Sequence, residues 1–308
     1  MGHKKELVIK TMIDTKFRGM GVALITPFKE DDSVDYEALS RLLDYQLQND
    51  IDFIVALGTS AETPTLTEEE KEEVLNFIIS KVHGRVPIVL GLGGNNTKAL
   101  VDQLKTRRFD GVDAILSVVP FYNKPSQEGM IQHYSALAEA SPVPIIMYNV
   151  PGRTGVNMKA ETTLKLAKKY SNIVAIKEAS GNIVQINDII KNKPDNFNVI
   201  SGDDAITYPL LAMGAVGVIS VIGNAFPKEF SRMVRLALQG DYPSARIIHQ
   251  KFTELFDLLF VDGNPAGVKC MLSLMGYVNN RLRLPLVPTR ITTFERMREV
   301  LDALNVKY

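Results

Sequence analysis

The feature that most constrains this chain is a recurrence. From residue 19 onward, short β-branched runs alternate with longer amphipathic stretches. The runs fall at 21–27, 53–58, 87–91, 114–120, 144–150, 173–176, 198–201 and 217–222, eight in all. Their spacing of roughly thirty residues is that of one strand-helix unit. Between them lie stretches of helical pattern, for example 35–48, 67–81, 97–108, 127–140 and 158–169. Thr67 and Glu70 have capping-box spacing, and the acidic run Glu68 to Glu70 suits a helix N-terminus. Eight strands, each followed by a helix, are the parts of an α/β fold of the (β/α)8 TIM barrel type, with a doubly wound open sheet as its main rival. The barrel is the expected architecture, over residues 1–240. Beyond it the pattern is helical at 242–260, 265–275 and 293–304, and Pro285 and Pro288 break the last two apart. No Gly/Ser-rich or charge-block linker intervenes, so residues 241–308 are expected to be a C-terminal helical extension packed on the barrel.

Charge and cysteine usage narrow the ligands and the compartment. Lys+Arg and Asp+Glu both total 35 in 308 residues, so no basic surplus points to nucleic acid or an anionic membrane. Small molecules are the expected partners. The single cysteine, Cys270, cannot form an internal disulfide or a cysteine-based metal cluster, and reads as a packed helical residue in a reducing compartment. Residues 1–16 lack a continuous apolar core, so no signal peptide is expected, and no apolar stretch is long enough to span a bilayer. The cytoplasm is the expected location.

Several motifs lead nowhere. Gly91-Leu92-Gly93-Gly94-Asn95-Asn96 lacks the third glycine of the dinucleotide fingerprint and reads as a tight turn. Strand seven ends in Ser201-Gly202-Asp203-Asp204, whose carboxylates would repel a phosphate at the barrel's usual phosphate site. His3, His83, His133 and His249 are scattered, with surface or packing roles expected and no catalytic metal. Gly58-Thr59-Ser60-Ala61-Glu62 is not a hydrolase elbow.

What remains gathers at the carboxyl ends of the strands, where barrel chemistry is found. Thr59 and Ser60 end strand two; strand four runs into Phe121-Tyr122-Asn123-Lys124-Pro125; strand five into Tyr148-Asn149-Val150-Pro151-Gly152-Arg153; strand six reaches Lys177; strand seven offers Gly202. Each has a plain reading, Lys177 as an ion-pair partner of a carboxylate such as Glu178 among them. A lysine held among apolar neighbours loses hydration, which favours the neutral amine that attacks a carbonyl. Together a lysine, a phenol, hydroxyls and a guanidinium suit imine chemistry on a 2-oxo acid. The phenol of Tyr148 would relay protons as carbinolamine becomes imine, Ser60 and backbone N–H groups would hold the substrate carboxylate, and Arg153 would grip a second acidic substrate. No metal or organic cofactor is required.

Five ordered motifs resemble the dihydrodipicolinate synthase family: Gly58-Thr59-Ser60-x-Glu62, Tyr122 to Gly129, Tyr148 to Gly155, Ile176-Lys177-Glu178-Ala179-Ser180-Gly181-Asn182 and Ser201 to Asp204. The likeness runs from about Gly19 through Asn264-Pro265 and Arg283-Leu284-Pro285-Leu286. It implies condensation of pyruvate with aspartate semialdehyde in diaminopimelate and lysine synthesis, by a homotetramer built from tight dimers. It implies Lys177 as the Schiff-base lysine and Tyr148 as the central relay. The resemblance also implies that Thr59 links that phenol to Tyr122, reaching in from the neighbouring subunit. By the same resemblance Ser60, in place of a threonine, would donate to the pyruvate carboxylate, Arg153 would bind the semialdehyde carboxylate, and Gly202 and Ile219 would line the pyruvate pocket.

Two departures stand out. Ala61 replaces a glycine usual in the family, which matters if that position needs positive φ. At the feedback site of lysine-sensitive members Asn95 is kept, but Ala99 stands at the acidic position, Glu68 and Lys71 replace histidines, and Phe121 replaces a tyrosine. Without a carboxylate at 99 an ammonium ligand loses its charge partner, so weak or absent lysine inhibition is expected. The competing readings are another Schiff-base lyase, such as N-acetylneuraminate lyase or a 2-keto-3-deoxy sugar acid aldolase, and a non-catalytic barrel that binds 2-oxo acids. Arg153 favours a small acidic aldehyde over a sugar chain, which would need hydroxyl partners.

Overall fold

The computed structural model describes residues 16–306. The expectation placed on residues 1–16 therefore lies outside the described residues except for Lys16, and so does His3. Eight parallel strands run β1 (Gly19–Ala23), β2 (Phe53–Ala56), β3 (Ile88–Gly91), β4 (Ala114–Val118), β5 (Ile145–Asn149), β6 (Ile173–Glu178), β7 (Asn198–Ser201) and β8 (Gly217–Ser220). They follow one another in sequence order and close into a barrel, the TIM-barrel topology expected from the alternation. The longer helices are α1 (Tyr36–Gln48), α2 (Glu68–Val82), α3 (Thr97–Thr106), α4 (Gln127–Ala140), α5 (Ala160–Lys169), α6 (Ile183–Asn192), α7 (Asp204–Met213) and α8 (Pro227–Leu238). The C-terminal ones are α9 (Tyr242–Lys251), α10 (Thr253–Leu258), α11 (Ala266–Leu274) and α12 (Ile291–Ala303). No helix among the described residues is long and apolar enough to cross a membrane. By compactness the described residues divide into two units, 16–19 with Pro87–Ile219, and Met20–Val86 with 220–306.

In the unit containing Pro87–Ile219, β5 and β6 are buried along their whole length, which is why their sequences carry no polar alternation. The loops leaving the strands supply helix caps: Asn96 accepts from Ala99 N at 3.2 Å, Ser126 from Gly129 N at 3.2 Å, Asn182 from Gln185 N at 3.0 Å and Asp203 from Ala205 N at 3.0 Å. The glycine run after β3 is a close approach, because a Cβ on Gly93 would meet the Val118 backbone nitrogen at 2.9 Å. Helix α4 buries Met130, His133, Tyr134, Leu137 and Ala138, an i, i+3, i+4, i+7, i+8 stripe. The hydroxyl of Tyr134 donates to Ser117 O at 2.8 Å, which satisfies a phenol that packing has wholly dehydrated.

In the unit containing Met20–Val86, the Thr67 and Glu70 capping box forms as the spacing predicts. The first strand differs from its expected run. Beyond Ala23 the chain leaves the sheet, with Ile25 N donating to Asn224 Oδ1 at 3.2 Å and Pro27 having no N–H to offer. The pattern at 242–260 is two helices, α9 and α10, turned at Phe252 so that this ring packs on Phe226 at 5.0 Å and Phe256 at 6.4 Å. Cys270 is wholly buried on α11, as read from sequence. An ion pair joins Lys269 to Glu62, both side chains without solvent exposure. Lys269 Nζ also donates to Arg281 O at 2.9 Å and sits 4.1 Å from the Phe28 ring centroid. Burial pushes its ammonium down to about 8, with Glu62 pulling the other way.

His133 yields a pH dependence. It is buried, with Thr97 Oγ1 at 2.8 Å from its Nδ1, and burial lowers it from 6.5 to about 4. The unfolded chain therefore takes up this proton first as pH falls. The contribution is fully present above the unfolded value and is lost as pH drops toward the folded one, by up to about 3 kcal/mol. Urea unfolding from about pH 7 to about pH 4.5 should show wild type losing about 2–3 kcal/mol more than His133→Gln. Equal losses would contradict this.

Candidate active site

The unusual residues on one face of β5 and β6 are brought together by register. Tyr148 pairs with Lys177 and Asn149 with Glu178, so each pair presents its side chains on the same side of the sheet. Lys177 is 5% exposed and Tyr148 6%, and Lys177 Nζ lies 4.3 Å from the Tyr148 ring centroid. The amine thus sits on the ring's electron-rich face.

Glu178 points the other way, as alternation requires. Its partners are neutral: Asn149 Nδ2 at 3.1 and 3.2 Å, Ser180 N at 2.9 Å and Gln185 Nε2 at 3.3 Å. Burial holds its carboxyl above the usual carboxylate range. The ion-pair reading of Lys177 with Glu178 therefore fails. Behind the strands Asn149 extends the network, its Nδ2 donating to Asn157 Oδ1 at 2.8 Å and its Oδ1 accepting from Met158 N at 3.0 Å. Sequence reasoning passed over Asn149, Gln185 and the neutral environment of Glu178. The available signal was a polar pair at equal height on adjacent strands, one step out of phase with Tyr148 and Lys177.

Gly202 follows β7, where its N donates to Glu178 O at 2.8 Å. A Cβ here would meet Ala179 Cβ at 2.8 Å and Lys177 Cε at 2.9 Å, so the position is glycine because the lysine stem occupies the space. Ile219 is buried on β8. Arg153 is exposed on a single helical turn, Pro151–Thr154, closed by Gly155 at φ 72°. Tyr122 is 88% exposed and holds φ 70°, a left-handed backbone that a tyrosine rarely adopts. Asn95 Nδ2 donates to Phe121 O at 3.2 Å.

In the other unit, Thr59 and Ser60 form the short turn after β2, Thr59 half-buried and Ser60 1% exposed. Asn264 Nδ2 donates to Ser60 Oγ at 3.0 Å. Ala61 needs no positive φ; the left-handed residues flanking it are Leu57 and Glu62, so a Cβ at 61 leaves the turn intact. Its carbonyl accepts from Thr26 Oγ1 at 2.8 Å. Lys71 and Glu68 pair with each other at 2.7 Å on α2. Among the described residues no group of three or more His, Cys, Asp or Glu is arranged to hold a metal ion.

The arrangement can form a covalent bond to a carbonyl carbon. The family model described as Dihydrodipicolinate synthetase matches residues 16–304. The chain belongs to that family. The 4-hydroxy-tetrahydrodipicolinate synthase of Parabacteroides distasonis is 69% identical over 296 residues, spanning 96% of this chain and 100% of its own. The crystal structure of dihydrodipicolinate synthase from Aquifex aeolicus superposes with a TM-score of 0.91 at 43% identity, covering 94% of this chain and 99% of that one. A variant described as the first monomeric dihydrodipicolinate synthase gives 0.92 at 40% identity, covering 96% and 99%.

Gly202→Ala should displace the Lys177 stem. Labelling of Lys177 by a small keto acid with borohydride should slow by at least about tenfold, since misplacing a reacting group by even an ångström is that damaging. Unchanged labelling would show that the contact does not position the amine.

Proposed function

We propose that this chain condenses pyruvate with L-aspartate 4-semialdehyde to give 4-hydroxy-tetrahydrodipicolinate. The observation that carries this reading is the buried amine of Lys177 on the face of Tyr148 at the carboxyl end of β6. Family membership and the shared name of highly similar relatives support it.

The reaction follows from the groups. The free amine of Lys177 adds to C2 of pyruvate to give a carbinolamine, and water leaves as the imine forms. Tyr148 passes the protons between oxygen and nitrogen; Nζ stands over its ring, so a pivot about the last carbons of the lysine stem would carry it to the hydroxyl. The protonated imine draws electrons from the adjacent methyl, which loses a proton to become an enamine. The enamine carbon attacks the aldehyde, and its oxygen is protonated. The amino group of the former semialdehyde then adds to the imine carbon, closes the ring and releases Lys177. One water is lost overall, and because the imine is the electron sink no metal or organic cofactor enters the balance.

The remaining roles belong to the same proposal. Ser60 donates to the pyruvate carboxylate, Gly202 and Ile219 wall the pocket, and Arg153 binds the carboxylate of the semialdehyde. Thr59 links Tyr148 to the partner subunit's Tyr122, in a homotetramer of tight dimers. The exposure and the left-handed backbone of Tyr122 support a residue aimed outward at a second copy. Residues 1–240 would be the catalytic barrel, with residues 241–308 as a helical region packed on it, in a cytoplasmic enzyme. Lysine would inhibit weakly or not at all, since Ala99 gives an ammonium no carboxylate.

Intact-mass analysis after pyruvate and borohydride should find one adduct per chain, mapped to Lys177 and absent in Lys177→Ala, with sedimentation of the same sample reporting a tetramer. An adduct that persists in Lys177→Ala would overturn the mechanism, and a fully active monomer would overturn the role given to Tyr122.

A further inference from the structure

Proceeding from the reading of Ser60 as a carboxylate donor, we propose that Asn264 is a positioning residue that keeps the Ser60 hydroxyl proton free for the substrate. A hydroxyl has one proton to give and two lone pairs to accept with. Ser60 Oγ is buried against the Asn264 side chain, with Nδ2 at 3.0 Å and Oδ1 at 3.4 Å. The first distance is an ordinary N–H to O hydrogen bond, whereas 3.4 Å lies outside the normal O–H to O range. Asn264 therefore donates and Ser60 accepts, leaving the serine proton to point elsewhere.

The fold holds this geometry at two points from one element. Asn264 lies just ahead of α11, and Lys269 on α11 pairs with Glu62 at the end of the same turn. Glu62 sits at φ 56°, a strained position for a side chain that large, and its other oxygen accepts from Arg283 N at 3.1 Å. Thr26 Oγ1 fixes the carbonyl of Ala61 between them at 2.8 Å. The turn at 59–62 is thus clamped on both sides of Ser60, and the amide selects which way the hydroxyl faces.

This assignment separates two substitutions that a purely structural role would treat alike. Asn264→Ala removes the orienting donor, and the proton can rotate freely. Asn264→Asp replaces a donor with a carboxylate that only accepts, so Ser60 turns its proton toward residue 264 and away from the substrate. The pyruvate concentration for half-maximal borohydride trapping on Lys177 should rise about threefold in Asn264→Ala. In Asn264→Asp it should rise about tenfold or more, the scale of a hydrogen bond to a charged group. The trapping rate at saturating pyruvate should stay within about twofold in both. In a Ser60→Ala background Asn264→Asp should add no further change, since no proton remains to misdirect.

Equal half-saturation in wild type and Asn264→Asp would overturn the inference while leaving the proposed function standing. So would an undiminished effect of Asn264→Asp in the Ser60→Ala background. If Asn264→Asp does not fold, Asn264→Ala against Ser60→Ala decides the matter by the same non-additivity. Failure of wild type to be trapped at all would overturn the function itself, and the inference with it.

Discussion

The site depends on the register between β5 and β6. Setting Tyr148 level with Lys177 and Asn149 level with Glu178 assigns one pair to each side of the sheet. One side receives an amine and an aromatic ring; the other receives a carboxyl satisfied by amides and a backbone N–H. A slip of one residue would exchange the sets, burying Lys177 against amides and turning Glu178 to the ring side. Gly202 completes the constraint from β7, because a larger residue would take the space of the lysine stem.

Among the described residues two lysines are buried, and their surroundings differ. Lys269 has a carboxylate, a carbonyl and an aromatic face around it, so its charge is offset where it lies. Lys177 has an aromatic face, and the carboxyl beside it in sequence is turned away and engaged elsewhere. A buried lysine on an aromatic face, with that carboxyl turned away, suits the proposed attack on a carbonyl. The same fold thus uses one lysine to pin the turn at 59–62, and the other is the one proposed for chemistry.

Much of this was legible in the sequence, because it rests on local patterns. Eight buried runs at one spacing gave the strands, the Thr67 and Glu70 spacing gave a cap that forms, and Lys177 and Tyr148 stood at strand ends. What escaped depends on contacts distant along the chain. Asn264 meets Ser60 across 204 residues, and no spacing rule couples them. The bend at Phe252 follows from where a phenylalanine cluster finds burial, in a stretch whose period alone reads as one helix. Ala61 raised a question about backbone sign that only the dihedrals answer: the left-handed positions fall on Leu57 and Glu62.

The central claim is that the Tyr148 phenol, beyond packing against the amine, moves the protons of imine formation. Tyr148→Phe retains the ring face under Lys177 Nζ and removes only the hydroxyl. Rapid-quench borohydride trapping with pyruvate measures the rate at which the Lys177 adduct forms. That rate should fall by about a hundredfold or more in Tyr148→Phe, the usual contribution of a positioned acid-base group, while the same adduct eventually accumulates. An adduct forming as fast in Tyr148→Phe as in wild type would contradict the account.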